Sequence, residues 1–439
     1  MKPNGNALEV EITESSGSDE DACSPRPRAV GTVTYGSYLS PEEAVSTYNL
    51  FAPTTLAERY AMFAKMRAEP GLCRVEPFGA FAAARYEDAA ALLKDPQRFS
   101  SEALAVTAEP PWLGPNPVAH SLISKDPPNH TRLRALIHRA FGPAGMARLE
   151  ARIRQESEAL AEAAVRQREV ELVDAFTFIL PRNVIGAMLG LDPSTFSEFK
   201  RWSLNMGLIT SATTPEQQEG VRSTVREMKD YLTDVIQARR RQPGEDMVSD
   251  LLRGEVEGRA LTDDEILSFL FLLLPAGMET TTQLLGNSII HLAQRPEQLE
   301  RARAHLAHVP RFIEEVLRYE SPTQLSFRLA TQDVELAGTR IPAGSLVFGL
   351  VASANRDERV FERPDEFLPG REKGNQHLSF GYGIHFCLGA QLARLEARLG
   401  LEALVSRVRG LRLRSPEIQW NPGFTMHGPS VLPAELLPA

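Results

Sequence analysis

The feature that most constrains the fold of this chain is one long helical pattern between Thr262 and Gln294. Apolar residues recur at steps of three and four, and Thr262 with Glu265 forms a capping box, in which each side chain bonds a backbone amide of the other residue. Roughly 30 residues give a helix of about 45 Å, whereas a domain of this size has a radius of gyration of about 22 Å. The helix must therefore cross most of the molecule.

Pro275 lies inside this long pattern. Proline lacks a backbone N–H, and its ring clashes with the preceding helical turn. We therefore predict a kink near residues 271–276.

Helical periodicity also dominates the rest of the chain. It covers residues 129–141, 145–166, 171–190, 217–241, 297–305, 310–320 and 388–407, and a further helix begins at Glu87. Short β patterns occur at residues 74–85, a predicted strand pair, and between residues 323 and 350 around the turn Pro342-Ala343-Gly344. The predicted fold class is mainly α with small β-sheets.

The first 30 residues differ from the remainder. Six acidic residues lie among Ser and Gly without an apolar period, and Pro25 and Pro27 follow. Such a segment cannot bury enough surface to offset its ordering entropy. We predict a disordered acidic tail at residues 1–30 and one large domain at residues 31–439.

Composition excludes several classes of protein. Lys and Arg total 48 and Asp and Glu total 57, so the formal charge is 48 − 57 = −9, which disfavours sequence-independent nucleic-acid binding. Three cysteines cannot form a disulfide framework. The longest apolar run, Phe269 to Met278, is shorter than the roughly 18 residues of a membrane span, and the N-terminus lacks a secretory pattern. We expect a cytoplasmic protein that binds neither nucleic acid nor membrane.

The strongest indication of chemistry surrounds a cysteine near the C-terminus. Glycines bracket Cys387 in Phe380-Gly381-Tyr382-Gly383-Ile384-His385-Phe386-Cys387-Leu388-Gly389, and a predicted helix follows. A thiol at a helix N-terminus faces unpaired amides and the positive end of the dipole, which both favour a thiolate. Glycines let a large flat ligand approach the backbone. Taken alone, Cys387 could equally be a buried structural cysteine.

This stretch matches the haem-ligand motif F-x-x-G-x-H/R-x-C-x-G at every fixed position, and the chain resembles the cytochrome P450 family. The resemblance implies a P450-like fold and haem b as cofactor, with Cys387 as the thiolate ligand of the iron. Thiolate ligation favours O–O cleavage. The resemblance also implies that Phe380, His385 and Gly389 contact the haem, with His385 at a propionate.

Two further regions support the resemblance. Glu315 and Arg318 lie three residues apart on one predicted helix face and resemble the buried Glu-Arg pair of the family, with Arg371 as a third, structural member. His130 and Arg134, four residues apart, form a cationic pair that suits carboxylates. The resemblance assigns these two residues and Arg328 to the haem propionates.

Within the long helix, Ala276-Gly277-Met278-Glu279-Thr280-Thr281 resembles the oxygen-activation segment of the family. Ala276 and Gly277 would leave room for dioxygen and the macrocycle. Thr280 would hydrogen-bond the oxygen and Glu279 would relay protons, because O–O scission needs protons at the right moment. The alternative, polar residues on a solvated face, fits poorly with the preceding FLFLLLP.

The resemblance implies a bacterial-type monooxygenase that inserts one atom of dioxygen into an apolar small molecule of terpenoid, steroid, fatty-acid or polyketide type. No flavin or nicotinamide fingerprint follows a strand, so electrons are expected from a ferredoxin with its NAD(P)H-dependent ferredoxin reductase. A basic face could dock such an acidic partner, although a solvated helix face is an equal alternative. Its residues would be Arg132, His138, Arg139, Arg394 and Arg398.

Substrate contacts are predicted by family position at Leu104, Trp112, Leu204, Met206, Leu208, Leu325 and Phe424.

Two alternative functions stay open. One is a haem-thiolate enzyme of atypical outcome, such as a peroxygenase, an isomerase or a coupling catalyst. The other is a haem sensor without turnover.

Overall fold

The computed structural model describes residues 45–140, 143–209, 213–256, 258–423 and 425–439. The predicted tail at residues 1–30 lies outside this range. The described helices are α1 (Leu56–Ala68), α2 (Tyr86–Lys94), α3 (Ala103–Ala108), α4 (Asn129–Ala140), α5 (Pro143–Gln167), α6 (Ile179–Met188), α7 (Phe196–Gly207), α8 (Pro215–Arg241), α9 (Met247–Arg253), α10 (Asp263–Gln294), α11 (Pro296–Ala304), α12 (Val309–Tyr319), α13 (Val351–Ala354) and α14 (Ala390–Val405).

The strands are short and form small sheets beside the helices. They are β1 (Thr47–Asn49), β2 (Cys73–Glu76), β3 (Ala80–Ala83), β4 (Phe99–Ser100), β5 (Glu169–Glu171), β6 (Glu255–Val256), β7 (Arg259–Ala260), β8 (Ser326–Ala330), β9 (Val334–Leu336), β10 (Thr339–Ile341), β11 (Leu346–Gly349), β12 (Val408–Leu413), β13 (Gln419–Trp420), β14 (Pro429–Val431) and β15 (Pro433–Pro438). The largest described sheet has the order β1-β2-β3-β11-β8-β4. The other sheets are β12-β15-β5 and the pairs β10-β9, β13-β14 and β6-β7.

Helix α10 forms the centre of the fold, as its sequence pattern predicts. Its capping box is present: the Glu265 N–H donates to Thr262 Oγ1 at 3.2 Å, and the Thr262 N–H donates to Glu265 Oε2 at 3.0 Å. The helix contains 32 residues, so it is about 48 Å long. Most residues of α10 are buried, and they lie on all faces of the helix, as expected of a helix that crosses a core. The helix is continuous through Pro275.

The remaining predictions for secondary structure agree with the structure in most segments. The predicted strand pair forms the antiparallel β2–β3 ladder, with Val75 opposite Ala80. One prediction was wrong in part: residues 171–190 are not one helix. Strand β5 and a π-helical turn at Val173–Thr177 precede α6, because residues 169–171 pair with β15 near the C-terminus.

One large apolar core surrounds α10, with buried side chains from helices α4 to α12 and from α14. The antiparallel β11–β8 ladder, with Val347 opposite Arg328, lies in the largest sheet. Among the described residues, no helix is long and apolar enough to cross a membrane.

Candidate active site

A cavity of about 520 Å³ lies between the middle of α10 and the loop that leads into α14. Its lining is mainly apolar, with contributions from α10, β8 and the loop before α14. Eight of the ten predicted site residues line it: Arg134, Ala276, Thr280, Arg328, Phe380, His385, Cys387 and Gly389. The fold thus brings together residues from four distant parts of the sequence.

The loop before α14 presents the Cys387 thiol to this cavity. Gly381 and Gly383 have φ values of +73° and +71°, a region that side chains rarely adopt. A Cβ on Gly383 would also lie 2.6 Å from the Leu93 carbonyl oxygen. The turn closes through the Cys387 N–H, which donates to the Phe380 carbonyl at 2.9 Å. Cys387 is solvent-accessible, so its sulfur can be reached by a ligand.

The helix terminus is not sufficient to make this thiol a thiolate. Burial by the surrounding protein raises the pKa of the Cys387 thiol, and the Gly389 N–H and the charges of Arg134 and Arg394 offset only part of that rise. A metal ion bound to the sulfur would deprotonate it outright.

A cluster of cationic and imidazole groups lies at one side of the cavity. The Arg134 Nη2 donates to the Phe386 carbonyl at 2.7 Å, and the Arg328 Nη1 donates to the Phe327 carbonyl at 2.8 Å. Burial lowers the pKa of Arg328 to about 10. Both arginines line this mainly apolar cavity. Within the described chain, neither of them has a carboxylate at ion-pair distance.

Two histidines complete this cluster. The rings of His130 and His385 lie 4.4 Å apart, and His385 Nε2 lies 2.9 Å from Ser101 Oγ. Burial first, and then the charge of Arg328, lowers the pKa of His385 to about 3, so this ring is neutral. His130 does not line the cavity and is buried behind His385, but its Nε2 has no hydrogen-bond partner.

These groups fit haem b. The propionates of haem carry carboxylates, which suit the guanidinium groups of Arg134 and Arg328, since neither has a carboxylate partner in the described chain. They also suit the buried Nε2 of His130, which has no hydrogen-bond partner. The apolar cavity suits a flat macrocycle, and the solvent-accessible thiol is a possible iron ligand. The residues that could hold the cofactor are therefore His130, Arg134, Arg328, Phe380, His385, Cys387 and Gly389.

The opposite wall of the cavity is the middle of α10. Ala276 is exposed to the cavity, and the Thr280 hydroxyl donates to the Ala276 carbonyl at 2.8 Å. Glu279 does not line the cavity, and burial raises the pKa of its carboxyl. Gly277 has a packing role, because a Cβ there would lie 2.5 Å from Ile185 Cδ1. Both Ala276 and Gly277 line the cavity.

Behind the cysteine loop, Glu315 binds two arginines. The Arg318 Nε donates to Glu315 Oε2 at 2.9 Å, and the Arg371 Nε donates to the same oxygen at 3.0 Å. Arg318 also donates to the carbonyls of Asn355, Pro364 and Glu366. This network joins α12 to the segment that leads into the loop, as the resemblance implied.

One residue of the cavity escaped the sequence analysis. Glu396 lies on α14, lines the cavity and is almost completely buried, and its Oε2 has no hydrogen-bond partner. Burial raises the pKa of Glu396 well above its ordinary value. The sequence carried an indication, because Glu396 lies between Leu392 and Leu399 in the apolar stripe of this helix.

The predicted substrate contacts divide into three groups. Leu104 and Leu325 line the cavity. Leu204 is 59% exposed, and Trp112, Met206 and Leu208 pack against the core without lining the cavity. Phe424 lies outside the described residues.

The predicted basic face is largely neutralised by internal ion pairs. Arg132 pairs with Glu265, and Arg398 lies 3.3 Å from Glu150. Arg394 pairs with Glu314 at 2.7 Å and lies over the ring of Phe380. Most of these arginines are therefore not free charges, and the side chain of Arg139 lies outside the described set.

Comparisons with known proteins give matches over most of the chain. The family model "Cytochrome P450" matches residues 73–427. Cytochrome P450 107B1 of Saccharopolyspora erythraea is 36% identical over 390 residues, which cover 86% of this chain and 94% of that protein. The structure of CYP109Q5 from Chondromyces apiculatus has a TM-score of 0.81 at 40% identity, with 90% of this chain and 100% of that chain covered.

A further structural neighbour carries a ligand. CYP109E1 from Bacillus megaterium in complex with testosterone has a TM-score of 0.77 at 32% identity, with 86% of this chain and 99% of that chain covered.

Proposed function

This chain belongs to the cytochrome P450 family, and on that premise we propose that it inserts one atom of dioxygen into an apolar small molecule with electrons from a ferredoxin. The members of the family bind haem b, and the enzyme is a P450 monooxygenase. When bound, haem b supplies the activation of dioxygen, and a thiolate ligand favours O–O cleavage. The protein supplies the ligand, the binding site and the protons.

One observation carries the proposal: the Cys387 thiol and the Ala276–Thr280 segment of α10 face the same apolar cavity. Cys387 is the proposed iron ligand, and Phe380 and Gly389, which line the same cavity, would contact the macrocycle. Arg134, Arg328, His130 and His385 form the proposed propionate site. His385 lines the cavity and lies 2.9 Å from Ser101 Oγ, and the ring of His130, whose Nε2 is unpartnered, lies 4.4 Å from the His385 ring.

Thr280 and Glu279 are the proposed catalytic residues. The Thr280 hydroxyl is held by the Ala276 carbonyl at a fixed place on the cavity wall. Burial raises the pKa of the Glu279 carboxyl above its ordinary value, which favours its protonated form and so the role of a proton donor. Since Glu279 does not line the cavity, its proton would have to reach Thr280 through an intervening group such as water.

The proposed substrate is an apolar molecule of terpenoid, steroid, fatty-acid or polyketide type. Its support is the apolar wall formed by Leu104, Leu122, Phe269, Leu273 and Leu325, together with the testosterone complex of the similar CYP109E1. An apolar wall excludes water and binds ligands by the area that they bury.

The proposed electron donor is a ferredoxin with its NAD(P)H-dependent reductase. The internal pairing of Arg132, Arg394 and Arg398 leaves a weaker basic face than the sequence indicated. We therefore expect a docking affinity with only modest dependence on salt.

The decisive experiment is the carbon monoxide difference spectrum of the reduced, haem-loaded protein. We expect the thiolate-ligated spectrum in the wild type and in Cys73→Ser, a control at a buried cysteine away from the cavity. Cys387→Ser should lose that spectrum. An unchanged spectrum in Cys387→Ser would falsify the ligand assignment.

Turnover is then tested with a surrogate ferredoxin, its reductase and NAD(P)H. Candidate substrates are first screened by the shift in ferric spin state that an apolar ligand produces. Oxygenated product supports a monooxygenase. Ligand binding without any product would favour a haem sensor.

A further inference from the structure

One wall of the cavity is built from two chain segments that are far apart in sequence. Residues 322–325 follow α12, and residues 425–427 precede β14. The Gln324 N–H donates to the Thr425 carbonyl at 2.8 Å, and Thr323 forms an isolated β-bridge with Met426. The wall residues that line the cavity are Pro322, Thr323, Leu325, Thr425 and Met426.

A buried carboxylate–imidazole pair lies next to this wall. His427 Nε2 is 2.9 Å from Glu320 Oε1, and the two residues are 1% and 4% exposed. Neither residue lines the cavity. Glu320 lies two residues before Pro322, and His427 directly follows Met426. The pair therefore connects the N-terminal end of the first wall segment to the C-terminal end of the second. The His427 N–H reinforces this junction by donating to the Pro322 carbonyl at 2.8 Å.

Helix α10 anchors the same pair. The Asn287 Nδ2 donates to the Glu320 carbonyl at 3.0 Å and to the His427 carbonyl at 3.2 Å. His291 Nε2 lies 2.9 Å from Glu320 Oε2, at ion-pair distance but without hydrogen-bond geometry. The wall is therefore fixed to the helix that also carries Thr280, about three turns before His291.

The surroundings hold this cluster rigid. The His427 ring stacks on Trp420 with centroids 4.3 Å apart, and the His291 ring stacks on Phe367 at 4.7 Å. Burial raises the pKa of Glu320, but the imidazoles of His291 and His427 more than offset it, so that this pKa lies below its ordinary value. A carboxylate held in this way keeps its charge and its two partners.

We propose that Glu320 and His427 are positioning residues for the substrate, which set the distance between the 322–325/425–427 wall and Thr280. The proposal rests on the proposed function, because it takes the cavity as the substrate site. Neither residue touches the substrate. Their effect passes through the backbone of Pro322 and Met426, since Glu320 contacts His427 and the His427 N–H bonds the Pro322 carbonyl.

Breaking the pair should loosen the wall. Glu320→Gln keeps the shape of the side chain but removes its charge, which leaves two buried imidazoles without their carboxylate. Ligands large enough to press on the wall should then lose affinity, whereas ligands that need only the iron should not. A general loss of stability would affect both kinds of ligand equally.

Two probes separate these effects, imidazole and 4-phenylimidazole, each titrated by its spectral shift on the haem-loaded protein. Imidazole is small, whereas the phenyl ring of the second probe occupies the apolar part of the cavity. We expect Glu320→Gln to weaken 4-phenylimidazole about tenfold relative to imidazole. His427→Asn should do the same, and it provides a second variant where Glu320→Gln does not fold. The double variant should show little additional loss, because the two residues act as a unit.

The matched control is Asp246→Asn, which breaks the buried pair of Asp246 with Arg239 away from the cavity. This variant should lose stability without any change in the affinity ratio of the two probes. A ratio within twofold of wild type in both Glu320→Gln and His427→Asn, or an equal change in Asp246→Asn, overturns the proposal. Wild-type protein that binds neither probe overturns the proposed function and this inference together, so the two failures are distinguishable.

Discussion

Glu315 and Arg318 form a bidentate ion pair, with Arg318 Nε 2.9 Å from Glu315 Oε2 and Arg318 Nη2 2.8 Å from Glu315 Oε1. Their side chains are 1% and 0% exposed. The remaining donors of Arg318 bond backbone carbonyls, so few polar atoms of the pair are left unsatisfied. The pair holds α12 against the chain that leads to Cys387.

We expect Glu315→Gln to lower the free energy of unfolding by about 3–5 kcal/mol, because it leaves two buried arginines without their carboxylate. The haem content of the purified protein should fall as well. Glu162→Gln is the control, since Glu162 pairs with Arg166 on an exposed helix face and should cost less than about 1 kcal/mol. Urea unfolding of both variants measures the difference, and equal losses would contradict the assigned role.

Thr280→Ala should lower the fraction of NAD(P)H consumption that ends in product by about tenfold or more, because a positioned proton donor is lost. Thr282→Ala is a matched control: its hydroxyl makes the same bond to the carbonyl four residues earlier, at 2.8 Å, but it does not line the cavity. Product and cofactor consumption are measured in parallel. Unchanged coupling in Thr280→Ala would remove the proton role and favour a peroxygenase.

Glu396→Gln should gain stability relative to wild type as the pH rises. The folded wild type keeps the carboxyl proton because burial raises the pKa of Glu396, whereas the unfolded chain releases it near the ordinary value of 4.5. Wild-type stability therefore falls by up to about 1.4 kcal/mol per pH unit from 4.5 toward the raised pKa.

Urea midpoints of both proteins between pH 5 and pH 8 test this sign. The gain of Glu396→Gln should be smallest at pH 5. Glu402→Gln on the same helix, whose carboxylate lies 3.6 Å from Arg398, should not reproduce the pH-dependent gain. A constant difference between Glu396→Gln and wild type at all pH values would contradict the burial of a protonated carboxyl.

Gly383→Ala should destabilise the cysteine loop more than a backbone effect alone predicts. Its φ of +71° costs a side chain about 1–2 kcal/mol, and its Cβ would meet the Leu93 carbonyl oxygen at 2.6 Å. Gly338→Ala has a similar φ of +74° but no atom within 4 Å of the added Cβ. The difference in unfolding free energy between the two variants measures the cost of the contact between the added Cβ and the Leu93 carbonyl. Equal values would show that the loop moves to relieve this contact.

The sequence by itself determined helix α10 and the local character of the cysteine loop. Helix α10 was predictable because its capping box and its hydrogen bonds join residues that are three or four positions apart. The loop at residues 380–389 was predictable for the same reason, since its glycines and Cys387 act within ten consecutive positions. Strand β5 was not predictable in this way, because its partner β15 lies at the far end of the chain.

Only the tertiary structure decided which polar groups are buried and what they face. Glu396 and Glu402 share one helix, yet Glu396 is buried with a raised pKa and an unpartnered oxygen, whereas Glu402 lies at ion-pair distance from Arg398. Leu204 is exposed and Leu104 lines the cavity, although both were equal candidates from sequence. Glu320 and His427 meet only after the chain has folded, because burial and electrostatics depend on neighbours in space rather than on neighbours along the chain.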